Sequence, residues 1–457
     1  MPDGTTTDRD VSGGATVGSA GDCGSAVRRQ NGLILYVGRR GQSLLDQQDR
    51  PAPIAQPRRL RKVGRNVVLL GLTSMFTDIS SEMVNSILPL YLTYELRWSP
   101  LQFGLFDGMY QAMTAFLRSA GAAIADRRRR YKEVAAFGYA LSAGCKLGLL
   151  AVGSAWIAST AILFTDRIGK GVRTAPRDAL ISFSSRREDL AWVFGVHRAL
   201  DTIGAMLGPF VAFLLLWNAP GSFDSVFVTS FCFAVVGLAV LVLFVENRRG
   251  QRTEGSDVPP KALRSAIDLL RQAPFRSLVV VGGLLGLATV GDGLVYLMLQ
   301  RRASFGIGFF PLLFVATAGV YLVLVMPFGR LADKAGRVKV LLGGYVALLG
   351  VYAVLLSAGS GLAAVVACVA LFGAYYAATD GVLMAIASSV VPVDLRSSGI
   401  ALLTTVVACS RAVASVVFGA VWTWNGPSAA LWLFLAGLLG ALAIAFPLLR
   451  SHGELSA

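Results

Sequence analysis

About twelve apolar stretches of roughly 18–25 residues recur along the chain with short polar breaks, and about 20 such residues suffice for a helix to cross a bilayer core. They lie near 67–93, 101–123, 133–156, 159–182, 191–217, 224–245, 277–299, 309–331, 339–358, 361–390, 398–424 and 428–449. Few folds remain open to such a chain. Backbone groups in lipid must be satisfied within their own segment, so each stretch is expected as a transmembrane helix. Composition agrees: of 457 residues 54% are hydrophobic and 15% charged, against about 25% charged in an average soluble domain. Fifty glycines suit helices that approach closely where lipid supplies no hydrophobic drive. The expected fold is an all-α membrane protein.

A net charge of +15 raises nucleic-acid binding, which the distribution of that charge argues against. The basic residues sit in alternate loops. With the amino terminus in the cytoplasm, the inner side receives Arg127–Arg130 and Lys132, Arg186 and Arg187, the central Arg248, Arg249, Arg252, Lys261, Arg264 and Arg271, and later Lys334, Arg337 and Lys339. The outer loops keep little beyond Arg97, Arg301 and Arg302. Positive residues orient a helix bundle with those loops inside, and an even number of helices returns both termini to the cytoplasm. The expected setting is a bacterial-type inner (plasma) membrane, with the lipid bilayer as partner, no nucleic acid, and a monomer. Cys23, Cys145, Cys232, Cys368 and Cys409 show neither metal-ligand spacing nor a disulfide framework, so they read as small apolar filler and no metal is expected.

Five regions follow. Residues 1–62 are polar and basic with one short apolar run, Leu33–Val37, too short for a signal-peptide core; they read as a disordered cytoplasmic arm or an over-extended start. Residues 63–245 hold six of the stretches and 276–450 the other six. A linker at 246–275 carries Pro259 and Pro260, then an amphipathic stretch from Ala262 to Leu270 suited to lying on the inner face. A short cytoplasmic tail, 451–457, closes the chain.

Residues 329–337 read Gly-Arg-Leu-Ala-Asp-Lys-Ala-Gly-Arg between two apolar runs, and Ala122-Ala-Ile-Ala-Asp126-Arg-Arg-Arg-Arg-Tyr-Lys132 holds the matching place in the first half. Both resemble the Gly-x-Leu-Ala-Asp-Arg-x-Gly-Arg-Arg/Lys loop of the major facilitator superfamily. The later copy matches at Gly329, Leu331, Ala332, Asp333, Lys334, Gly336 and Arg337; the earlier keeps Ala125, Asp126, Arg127 and Arg130, with Ala122 and Arg129 where glycines are usual. Leu163-Phe-Thr-Asp-Arg167-Ile-Gly-Lys170-Gly171-Val-Arg173-Thr-Ala175 is similar to the family's fourth-helix pattern, with Lys170 in place of a glutamine and Arg173 in place of a glycine. Gly204-Ala-Met-Leu-Gly208-Pro209 is similar to the core of its antiporter signature, although Ala212 and Phe213 replace the trailing glycines. The resemblance covers about residues 66–450. It implies two pseudo-symmetric six-helix bundles enclosing a central cavity and rocking about it, and members with both patterns are mostly proton-driven exporters of drugs and metabolites. It assigns Arg167 a part in proton transfer. The basic loops have a gating reading of their own, since Asp126 and Asp333 sit where a carboxylate can accept hydrogen bonds from the start of a neighbouring helix or pair with an arginine across the interface. Independently, Gly204 and Gly208 lie one turn apart on one face and permit close packing, while Pro209 bends its helix.

Ionisable residues at membrane depth carry the expected chemistry, because a charge near the bilayer centre costs about 2.5–3.5 kcal/mol and needs a partner or a wet cavity. Asp78 and Glu82 stand four residues apart on one helical face, where mutual repulsion favours retention of one proton. Asp107, Lys146, Arg167, His197, Arg198 and Asp201 complete the proton-coupling candidates. A structural reading competes: an ion pair of Lys146 with Asp78 or Glu82, gate salt bridges among Arg118, Arg177 and Asp178, and a merely satisfied His197. In the second half, Asp292, Tyr296, Tyr375, Tyr376, Asp380 and Arg411 are the substrate-binding candidates, since aromatic faces hold flat or cationic molecules; tyrosines also anchor helices at interfaces.

The expected function is secondary transport, a proton-coupled antiport of a small organic compound powered by the proton gradient with no cofactor. The alternative is proton symport of an anionic metabolite, with Lys146, Arg167, Arg198 and Arg411 lining an anion site. No nucleotide loop or metal cluster supports a pump or an enzyme. A membrane-embedded enzyme or a nontransporting sensor is the remaining reading.

Overall fold

The computed structural model describes residues 64–110, 113, 130–152, 155–185, 189–247, 268–357, 361–392 and 395–450. Asp126, Arg127, Arg118, the arm 1–62, the tail 451–457 and most of the linker lie outside the described residues. Among the described residues ten helices are long and apolar enough to cross a membrane: α1 (Arg65–Glu95), α3 (Tyr131–Val152), α5 (Trp192–Asn218, extending from Leu190), α6 (Phe223–Phe244), α7 (Ala273–Ala303), α8 (Ile307–Ala335), α9 (Arg337–Leu356), α10 (Leu362–Val390), α11 (Ser398–Asn425, extending from Arg396) and α12 (Pro427–Arg450). Two more complete the twelve. α2 starts at residue 100 and is described to 110; α4 (Trp156–Phe183) has the length but carries six charges from Asp166 to Asp178.

The two halves are wired alike. α3 packs on α4 and α6, and α9 on α10 and α12; α1 packs on α6, and α7 on α12. Small polar residues make the first-half seams. Thr73 and Thr77 return their hydroxyls to carbonyls four residues back, at 2.9 and 2.7 Å, leaving a smooth face. Ser80 and Ser230 bond across α1 and α6 at 2.9 Å. The outward surface is apolar, with Val323, Met326 and Leu362 more than two-thirds exposed, as lipid contact requires. Exposed Trp156, Trp192, Trp217 and Trp424 stand near helix ends, where amphipathic rings sit at headgroup level.

Helix boundaries depart from expectation at two places. The basic stretch 329–337 is no loop: α8 continues to Ala335, α9 starts at Arg337, and Gly336 alone makes the turn at φ 101° and ψ 131°, a conformation only glycine holds without strain. Leu331 to Ala335 are good helix formers and nothing stops them earlier. The seventh crossing, expected unbroken, separates into Ala273–Leu287 and Asp292–Ala303. The Tyr352 hydroxyl stitches the gap, donating to the Ala288 carbonyl (2.9 Å) and accepting from the Val290 N–H (3.0 Å). Such a break is tolerated in a membrane only where protein replaces the lost backbone partners.

Three hydrogen bonds join the halves at the end remote from the basic turns. Tyr94 donates to Gln300 (2.6 Å), the Leu101 N–H to Thr423 (3.0 Å) and Ser415 to Asp107 (2.7 Å). Phe309 packs on Phe213 and Trp217. Gly104 and Gly108 of α2 and Gly419 of α11 admit backbone so near that a Cβ would strike the facing carbonyl. At the basic end, by contrast, the bonds of Asn66 to Ser184 and to the Glu246 N–H stay within the first half.

Candidate functional site

Residues 166, 170, 173 and 177 recur at helical spacing, so α4 turns one charged face toward α1 and α3. Close approach of α3 and α4 is set by Gly138 and Gly169, where a Cβ would lie 2.7 and 2.8 Å from the opposite glycine's carbonyl oxygen. Across that seam Asp166 accepts from the Lys146 ammonium and from Ser142 (2.5 Å), and Lys146 also donates to Ser142 (3.1 Å). The pairing of Lys146 with Asp78 or Glu82 is therefore corrected: the nearer acid is Asp166, one turn-face away on the adjacent helix.

From Asp166 the network runs on to α1 and α2. The Arg167 guanidinium lies 3.3 Å from Asp166, donates to Asn85 Oδ1 (3.2 Å), and stacks 4.0 Å from the centre of the Tyr110 ring. Tyr110 donates to the same Asn85 oxygen (2.7 Å), and Asn85 donates to Glu82 (3.1 Å). Lys170 completes the arc at 3.8 Å from Glu82. Glu82 and Lys170 remain about 30% exposed, whereas Asp166 and Arg167 are buried.

Asp78 and Glu82 find their opposite number in α5. A Cβ on Gly204 would lie 3.2 Å from the Asp78 Cβ, and one on Gly208 would lie 2.9 Å from the Glu82 Cβ. Two glycines one turn apart thus make room for two carboxylates one turn apart. Pro209 sits inside α5 directly after this seam. Nearer the basic end, His197 stands 3.5 Å from Asp201, which faces Arg177 at 3.8 Å; Arg177 also pairs with Asp178 (2.9 Å) and donates to Ser74 (3.0 Å). Arg198, adjacent to His197, is exposed on another face.

In the second half, the break in α7 places Asp292 at the start of its second segment, where it accepts from Tyr376. Arg411 of α11 donates to the Tyr375 hydroxyl (2.7 Å), and Tyr375 packs against Tyr345, Phe372 and Tyr376. Asp292, Tyr375, Tyr376 and Arg411 are therefore brought together. Tyr296 is set apart, donating to Thr317 (2.7 Å) inside a cluster with Phe314 and Phe372. Tyr296 and Tyr375 are fully buried in this conformation. Asp380 is exposed one turn along α10 from Tyr376. Asp107 lies between the halves, against Ser415 and the Gly291 backbone. At the turns, Asp333 pairs with Arg337 at 3.8 Å across Gly336, Gly329 faces open space, and Arg130 is exposed before α3. Asn85, Tyr110, Ser142 and Asp166, and Ser415 beside Asp107, are residues that the sequence did not single out, Asp166 standing unremarked in the fourth-helix string.

Ten helices long and apolar enough to span a bilayer among the described residues, two halves wired alike and charge networks buried between the helices define a multi-pass helical membrane transporter. The chain belongs to the major facilitator superfamily: the family's sequence model matches residues 70–316. An uncharacterised MFS-type transporter of Methanocaldococcus jannaschii is 29% identical over 400 residues, covering 84% of this chain and 96% of that protein. Among solved structures, the nucleoside transporter NupG superposes with a TM-score of 0.70 at 13% identity, over 84% of this chain and 98% of that one. A POT peptide transporter does so with a TM-score of 0.70 at 14% identity, over 87% and 96%. At such identities the likeness is one of fold alone.

Proposed function

We propose that the protein is a proton-coupled antiporter that expels a small organic compound across a bacterial-type inner membrane by alternating access. Its halves, 63–245 and 276–450, rock about a central site, with the linker 246–275, the basic turns and both termini on the cytoplasmic side. In that orientation the far-end contacts hold the outside shut and the conformation is inward-facing.

The observation that carries the reading is Glu82, a part-exposed carboxylate held between Lys170 and Asn85 in the α1–α5 seam. Ionised Glu82 draws Lys170 of α4 and, through Asn85, Arg167 toward α1. Protonated Glu82 loses the attraction to Lys170, which frees α1 and α5 to move relative to α4. Asp78, His197, Asp201 and Arg198 extend the same polar path toward the basic end. Asp107 then reports to the other half through Ser415. The buried Lys146–Asp166–Ser142 group holds α3 to α4 throughout. Asp292, Tyr376 and Arg411, with Tyr296, Tyr375 and Asp380 around them, supply the compound's contacts, and Asp333 with Arg337 and the counterpart loop at Asp126, Arg127 and Arg130 bias the inward-facing state.

A second reading, symport of an anionic metabolite, is favoured by one feature: the buried Nε of Arg411 has no hydrogen-bond partner among the described residues. Compounds are first found by comparing susceptibility and uptake of expressing and deleted cells, with and without the proton gradient. The purified protein is then placed in liposomes with an acid lumen and a luminal pH dye. Antiport raises luminal pH as compound enters, Glu82→Gln abolishes that rise, and symport lowers luminal pH. Compound entry with no pH change in either direction would sink proton coupling.

A further inference from the structure

The two halves repeat one basic turn and use it differently. In the first, Lys132 on the opening turn of α3 donates to the carbonyls of Val242 (2.9 Å) and Val245 (2.7 Å), capping the end of α6. In the second, Lys339 holds the matching place on α9. Its side chain is exposed and has no hydrogen-bond or ion-pair partner among the described residues. Beside it a groove of about 470 Å³ runs between α9 and α12, walled by Leu342, Val346, Leu442 and Phe446. Gly343 leaves that wall bare, since a Cβ there would meet nothing within 4 Å. Lys339 and Arg450 stand at its basic end, the Arg450 guanidinium lying 4.4 Å from the centre of the Phe446 ring. α9 and α12 pack only on second-half helices in their principal contacts, so the groove faces the bilayer rather than the central site.

We propose that this groove binds one anionic phospholipid of the adjacent leaflet, with its phosphate-bearing headgroup held by Lys339 and Arg450 and an acyl chain laid along Leu342, Val346 and Leu442. Charge complementarity selects the occupant. Two cations at the water–lipid boundary over an apolar channel attract an anionic headgroup, while the ammonium of a zwitterionic one would meet two like charges. Helix α9 follows directly from the Gly336 turn, so the lipid would sit beside that turn.

The full chain in detergent is incubated with phosphatidylglycerol or phosphatidylcholine at equal concentration, and the bound lipid is read by native mass spectrometry. Phosphatidylglycerol is expected to be retained in preference. The Lys339→Gln, Arg450→Gln double variant should weaken its binding about thirtyfold, about fivefold for each cation removed. Val346→Trp, which fills the groove and keeps both cations, should also lower retention, and Lys334→Gln, outside the groove, should leave it unchanged. Equal retention of the two lipids, or wild-type retention in the double variant, overturns the proposal. So does a dimer mass in place of the lipid adduct, or uptake only after residues 451–457 are removed. The readout is binding, so its outcome is independent of whether protons are exchanged.

Discussion

Lys146 and Asp166 face each other between α3 and α4 at 2% and 7% exposure, with Ser142 bonded to both. Neither charge could stay at that depth alone. Asp166→Asn strands the ammonium, and the expected cost is about 3–5 kcal/mol of unfolding free energy, read as a lower unfolding midpoint in detergent. Replacing both residues with apolar ones of similar volume (Lys146→Met, Asp166→Leu) should recover most of that loss. An Asp166→Asn protein as stable as the wild type would mean the pair does not hold the seam. Helical spacing alone places both residues at mid-depth, yet it does not pair them. The pairing depends on the crossing of α3 over α4, set by Gly138 against Gly169, and no periodicity encodes which helices cross. For the same reason Asp78 and Glu82 are legible as one face, and Gly204 and Gly208 as another, while their apposition is a tertiary fact.

At the scale of elements, the interrupted seventh crossing carries the most consequence. Its gap lies beside Asp107 and Asp292, so the loss of helical bonds at 288–291 brings backbone close to both carboxylates. Tyr352→Phe removes the one hydroxyl that serves the Ala288 carbonyl and the Val290 N–H. Leaving those groups unpaired in a buried site should cost about 2 kcal/mol and speed hydrogen exchange at the Val290 amide. Unchanged exchange at Val290 would show that the gap is held by something else. The sequence 277–299 reads as one apolar run because Asp292 is its single charged residue. The gap, which ends at Gly291, is bridged by a tyrosine 62 residues from Val290, a contact that hydropathy cannot register. The basic turn erred the other way: charge suggested a loop, whereas only Gly336 departs from helical geometry.

For the whole molecule, twelve crossings and their division into equal halves were legible from hydropathy and from the repeated basic stretch, because lipid imposes length and charge placement on every segment. Which end the halves share was not legible, since it belongs to a conformation rather than to composition. That end is defined by the Tyr94–Gln300, Leu101–Thr423 and Asp107–Ser415 contacts. The direct test places spin labels at two pairs across the halves, Ile157 with Trp424 at the joined end and Trp192 with Arg396 at the basic end, and reads both distances by pulsed electron resonance while pH and transported compound are varied. Alternating access requires that, in one population, the basic-end distance shortens as the joined-end distance lengthens. Two distances that stay fixed under every condition, or that change together in the same sense, would contradict it.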